Sequence, residues 1–108
     1  SESIRGTLRQ EFGDGYVIGT TDLRDGRWHH VVSVYDGSKI GNENSIQLYI
    51  DGVKESLSAV RKNTVNTVTN HANSNPVTIG SMFQGAIDEL YIYNGVLSAE
   101  QIAKMARR

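Results

Sequence analysis

The 108-residue chain sets 11 Lys and Arg against 12 Asp and Glu, a formal net charge of −1. That balance excludes a nucleic-acid partner, whose phosphates demand clustered cations. With no cysteine the chain has neither disulfides nor thiolate chemistry. No stretch approaches the ~18 apolar residues of a membrane span, so no membrane insertion is expected.

The length suits one small domain over residues 1–108, and its punctuation is that of a β protein. Asp14-Gly15, Asp25-Gly26, Asp36-Gly37, Asp51-Gly52 and Asn94-Gly95 are turn pairs, because Asp and Asn tolerate left-handed backbone and Gly adopts it without steric cost. Between the turns the pattern has a period of two. In "IRGTLRQEF" (4–12), Ile4, Leu8 and Phe12 share one face and Arg5, Thr7, Arg9 and Glu11 the other. "YVIGTT" (16–21) alternates in the same way. In "RWHHVVSVYD" (27–36), Trp28, His30, Val32 and Val34 are predicted to face the core, and Arg27, His29, Val31, Ser33 and Tyr35 to face outward. "SIQLYIDG" (45–52) follows, with Ile46, Leu48 and Ile50 inward and Gln47 and Tyr49 outward.

Residues 54–75 interrupt the alternation with Asn63, Asn66, Asn70, Asn73 and Asn75, and read as a long loop with room for one edge strand. "PVTIGS" (76–81) and "GAIDELYIYN" (85–94) are the last predicted strands. The tail "LSAEQIAKMARR" is helical. Ser98 and Gln101 form a capping box, Leu97 and Ile102 a hydrophobic staple, and Ile102, Met105 and Ala106 the buried stripe. The fold class is therefore all-β, an antiparallel sandwich with one short C-terminal helix.

His29 and His30 stand side by side, but neighbours on a strand face opposite sides and cannot chelate one ion together. His30, beside Trp28 on the apolar side, is expected to be a structural residue hydrogen-bonded to a backbone carbonyl. His29 is expected at the surface. His71 has no partner at metal-ligand spacing. Hydrolysis of a glycoside needs two carboxylates across one bond. Asp88 and Glu89 are neighbours on opposite faces, so the pattern excludes an enzyme of that type. Asp88 shares a face with Leu90 and Ile92. An inward carboxylate needs either a turn-closing hydrogen bond or a cation, and Ca²⁺ is the cation that oxygen ligands suit.

"DLRDGRWHHVVSVYDG", "IQLYIDG", "PVTIGS" and "FQGAIDELYIYNGVLSAEQI", in this order, resemble the C-terminal portion of a LamG-like domain. That domain type belongs to the laminin G and concanavalin A-like lectin/glucanase superfamily. The resemblance runs from residue 16 to about 105. It implies a jelly-roll β-sandwich, here incomplete at its N-terminal side, in a secreted or cell-surface protein, often bacterial. It further implies a structural Ca²⁺ with Asp88 at the position of a metal ligand.

The resulting expectation is a non-catalytic, extracellular binding or adhesion module whose partner is a glycan or an extracellular protein. For a lectin-like, carbohydrate-binding role the candidate contacts are Tyr35 and Tyr49 on neighbouring strands, with Gln47 and His29 on the same outward face. The alternative is a protein-interaction or self-assembly module that uses open strand edges. It would pair with an upstream segment or with itself, burying more than ~1,000 Å².

Overall fold

The structure is a computed structural model that describes residues 6–12, 15–36, 46–61, 76 and 78–107. Its strands are β1 (Arg9–Phe12), β2 (Gly15–Gly19), β3 (Val31–Tyr35), β4 (Ile46–Ile50), β5 (Val53–Lys54) and β6 (Leu57–Arg61), and its helix is α1 (Ala99–Ala106). The strands form two antiparallel sheets, ordered β1-β2-β6 and β3-β4-β5.

The sheets meet through Val17 of β2 and Ile46 and Leu48 of β4, all 1% exposed, with Leu8, Tyr35 and Leu57 packed around them. Alternation put Ile46 and Leu48 on the inner face, and there they lie. The opposite face of β3-β4-β5 is also covered. Val34, Tyr49 and Ile102 form a second cluster, joined by Val32 and Leu97, so α1 lies on this face as a third layer. The sandwich and its short helix thus stand as the pattern indicated, except that the outer side of the second sheet is dry where α1 covers it.

Local chemistry explains how α1 is seated. The Ser98 hydroxyl accepts the Gln101 N–H at 3.1 Å, and the Gln101 side-chain oxygen accepts the Ser98 N–H at 2.9 Å, completing the expected capping box. At the other end α1 rests on the β4–β5 turn. Asp51 and Gly52 have φ of 52° and 84°, and the flanking residues Ile50 and Val53 pair directly. This is a two-residue primed turn, which demands positive φ at both positions and explains the Asp-Gly pair.

Several expectations change. The segment from residue 54, read as a long loop with room for one edge strand, supplies β5's second residue and that edge strand, β6, which pairs with β2. The remainder of that segment, with His71, lies outside the described residues. The strands expected at 76–81 and 85–94 do not form among the described residues. Glu89 sits at φ 52° inside "GAIDEL", which breaks an extended run. Alternation shows which way a strand would face, but a strand also needs a ladder partner, and none of the described strands pairs with this segment.

Trp28 also departs from its expected place. Strand β3 begins at Val31, so the alternation does not reach back to Trp28, whose surface is 70% exposed. Within β3 the residues alternate, with Val31 and Ser33 exposed, Val32 half-buried and Val34 buried. Val32 and Val34, however, face α1 rather than the inter-sheet core, and Tyr35, expected outward, is half-buried against that core.

Candidate functional site

The loop spanning residues 20–30 carries Trp28 and is anchored at both ends by carboxylates. At its start, Glu55 accepts the Thr20 N–H at 3.0 Å, the Thr21 N–H at 2.8 Å and the Thr21 hydroxyl at 2.7 Å. Glu55 is itself fixed by its N–H, which donates to the Leu48 carbonyl at 2.8 Å. Gly19 makes this approach possible, since a Cβ there would come within 2.7 Å of the Glu55 carboxylate. In the middle of the loop, Asp22 takes the Arg24 guanidinium at 2.7 Å, and that ion pair draws its carboxyl down to about 2.

The far end of the loop is tied to the β4–β5 turn. The His29 Nδ1 lies 2.8 Å from Asp51 Oδ2, and its Nε2 lies 2.8 Å from Asp25 Oδ1. Asp51 Oδ1 accepts the His30 N–H at 3.0 Å, and the Asp51 N–H donates to the His30 carbonyl at 2.7 Å. Asp25 Oδ1 also accepts the Arg27 N–H at 3.0 Å, closing a turn around Gly26. The hydrogen bond to Asp51, then that to Asp25, raises the His29 pKa above its ordinary value. Both carboxyls are correspondingly lowered, each chiefly by its hydrogen bond to His29.

This geometry limits the chemistry. A general base needs a free ring nitrogen, and both His29 nitrogens already face a carboxylate. The imidazole ring fills the space between Asp25 and Asp51, so these acids cannot flank a glycosidic bond as hydrolysis requires. Nor do the three residues chelate an ion, because the two carboxylates sit on opposite edges of the ring.

The predicted contact residues are not brought together. In the β3–β4 register Tyr35 pairs with Ile46, and Tyr49 pairs with Val32. Directly paired residues share a face, so Tyr35 and Tyr49 lie on opposite sides of the sheet. Tyr35 packs at the inter-sheet core, while Tyr49 is 5% exposed beneath α1. The Tyr49 hydroxyl donates to the Gln47 side-chain oxygen at 3.3 Å, joining two of the expected contacts on the helix side. The His29 side chain, expected at the surface, is only 14% exposed and fully engaged with its two acids. His30 is half-buried, and its Nδ1 is buried without a hydrogen-bond partner among the described residues. The bonds at this position come from the His30 backbone instead.

Asp88 is exposed rather than inward, and its carboxylate accepts the adjacent Glu89 N–H at 2.9 Å. Ca²⁺ takes six to eight oxygens. Among the described residues no three His, Cys, Asp or Glu gather as a metal site. The described residues around Asp88 therefore do not by themselves make up such a set of ligands.

Sequence reasoning missed Asp25 and Asp51 as the partners of His29. Asp25 stands four residues before it, and Asp51 opens the turn after β4, opposite the entry to β3. A register for β3 and β4 would have placed Asp51 beside His29; the turn pair alone did not.

A second surface is chemically distinct. Ile79, Phe83, Ile87, Leu90, Tyr91, Ile92, Tyr93 and Val96 are each half or more exposed. Tyr91 and Tyr93 stack with ring centroids 6.3 Å apart, and Ile79, Phe83, Ile87 and Leu90 line a shallow open depression with Asp88 and Glu89 at its edge.

A family model of the laminin G type, described as the concanavalin A-like lectin/glucanases superfamily, matches residues 2–103. No curated protein and no solved structure matches the chain.

Proposed function

Because the chain belongs to the concanavalin A-like lectin/glucanases superfamily, we propose that it acts as a non-catalytic binding module through segment 79–96. The observation that carries this reading is the run of exposed apolar side chains along that segment. Tyr91 and Tyr93 alternate with Leu90 and Ile92, so an extended chain here would be apolar on both faces. Strands of that composition belong between two covering layers, and fully burying each such side chain is worth about 1.5–3 kcal/mol.

Aliphatic groups on both faces suit another polypeptide better than a sugar. A partner that adds a strand satisfies backbone groups and covers the side chains together. We therefore take the partner to be a protein strand from a second copy of the chain. The superfamily is one commonly found outside cells, and among the described residues no helix is long and apolar enough to cross a membrane; both accord with a secreted or cell-surface setting.

The stacked Tyr91–Tyr93 pair supports a second reading, a glycan platform, because pyranose rings pack on exposed aromatic faces.

Sedimentation of the purified chain at micromolar concentration separates the two. The protein-strand reading expects concentration-dependent association that Leu90→Asp with Ile92→Asp abolishes while the far-ultraviolet spectrum stays unchanged. A cooperatively melting monomer would overturn it. Glycan-array binding lost in Tyr91→Ala with Tyr93→Ala would establish the second reading in its place.

A further inference from the structure

The geometry around His29 carries an inference that the binding role does not require. A neutral imidazole has one N–H and one lone pair. Both His29 nitrogens lie 2.8 Å from carboxylate oxygens, which when ionised only accept hydrogen bonds. The arrangement is satisfied only by imidazolium, with a proton on each nitrogen. Removing one proton sets a lone pair against a carboxylate at hydrogen-bond distance, and that contact repels.

We propose that His29 is a proton-operated latch: its cationic form ties Asp25 to Asp51, and its neutral form releases Asp25, loosening the turn that leads to Trp28. Asp25 is the side that opens, because Asp51 is held independently by the His30 N–H through its other oxygen and by its own N–H on the His30 carbonyl. Among the described residues Asp25 has only the Arg27 N–H, from within the same turn.

Among the described residues the charged groups acting on the bridge are few. Asp25 and Arg27 come from the loop and Asp51 from the β4–β5 turn; Arg27 acts weakly on both carboxylates. Helix α1 packs against the same turn through Ala103 and Ala106, which bring no charge. The raised His29 pKa and lowered Asp25 and Asp51 pKa values define the window. On the histidine side the tie is complete below the ordinary histidine value of about 6.5 and is lost as pH rises through the raised value. On the carboxylate side it is complete above the ordinary value of about 3.9 and fails as pH falls through the lowered ones. The latch is closed in mildly acidic solution and opens on the alkaline side.

Trp28 is the sole tryptophan and sits next to His29, so its indole resonance and fluorescence report on the turn. The experiment follows the His29 ring nitrogens by long-range proton–nitrogen correlation, with the Trp28 signals, on the full chain from about pH 5 to 9. The expected result is imidazolium at both nitrogens below about pH 6.5, then a single transition above it, shared by His29 and Trp28. Asp25→Asn keeps an oxygen for the Arg27 N–H but removes the negative charge beside Nε2, so it should lower the midpoint while keeping the fold; His30→Gln should leave the midpoint in place. A His29 ring already neutral below about pH 6.5 would overturn the proposal. So would a Trp28 transition that persists in folded His29→Gln, or a midpoint unmoved by Asp25→Asn.

Discussion

Replacing Ile102 with Ala tests whether α1 is a structural layer of this domain or an ornament on its surface. Ile102 is 0% exposed and packs against Val34 and Tyr49. The substitution removes three carbons, worth about 0.8 kcal/mol each when buried, or about 2.4 kcal/mol together. Incomplete collapse around the vacated space raises the expected loss to about 3 kcal/mol, within the range for such truncations. There is a second consequence. An eight-residue helix is not stable alone in water, so α1 persists because its apolar side is docked. Weakening that dock should uncover Tyr49. Urea titration followed by circular dichroism and tyrosine fluorescence reads both effects, with Ile92→Ala as control. Ile92 is 83% exposed, so the same deletion there should cost less than about 0.5 kcal/mol in the isolated chain. A loss below about 1 kcal/mol for Ile102→Ala, or equal losses at the two positions, would refute the packing argument.

The parts of the fold that depend on nearby residues were legible in the sequence. The Asp51-Gly52 turn, the inward set Ile46 and Leu48, and the Ser98–Gln101 cap each follow from φ preference, side-chain alternation or a three-residue reach. What depends on a distant partner was not legible. "GAIDELYIYN" alternates well, yet a strand needs a ladder, and that information lies outside the segment. The segment after residue 54 had room for one edge strand, and residues 57–61 are that strand, but the Asn-rich sequence after them hid which residues pair.

Register decided the site. Tyr35 and Tyr49 both looked outward when each strand was read alone. Antiparallel pairing put Tyr35 opposite Ile46 and Tyr49 opposite Val32, and the two rings parted to opposite faces. The same pairing brought the end of β4 to the entry of β3, which is why Asp51 meets both His29 and the His30 backbone. The polar site that does form is therefore made by long-range topology acting on short-range turns. The twin histidines marked its place without revealing its partners.

Two further substitutions probe how α1 is held. Ser98→Ala removes the oxygen that accepts the Gln101 N–H and should lower stability by about 1 kcal/mol, read by the urea midpoint; no loss would mean that the cap is idle. Gly52→Ala acts at the other end through two separable effects. At φ 84° a side chain is strained, at a cost of about 1–3 kcal/mol. A Cβ there would also stand 3.1 Å from the Ala106 Cβ and 3.3 Å from the Ala103 Cα. Ala106→Gly removes the first of these contacts but leaves the backbone strain, so a double-mutant cycle tells the two apart. The double variant should be more stable than the sum of the single losses indicates, by at least about 0.5 kcal/mol, because residues in contact couple. Strict additivity would mean that α1 does not press on the β4–β5 turn in solution, and the third layer would lose its second anchor.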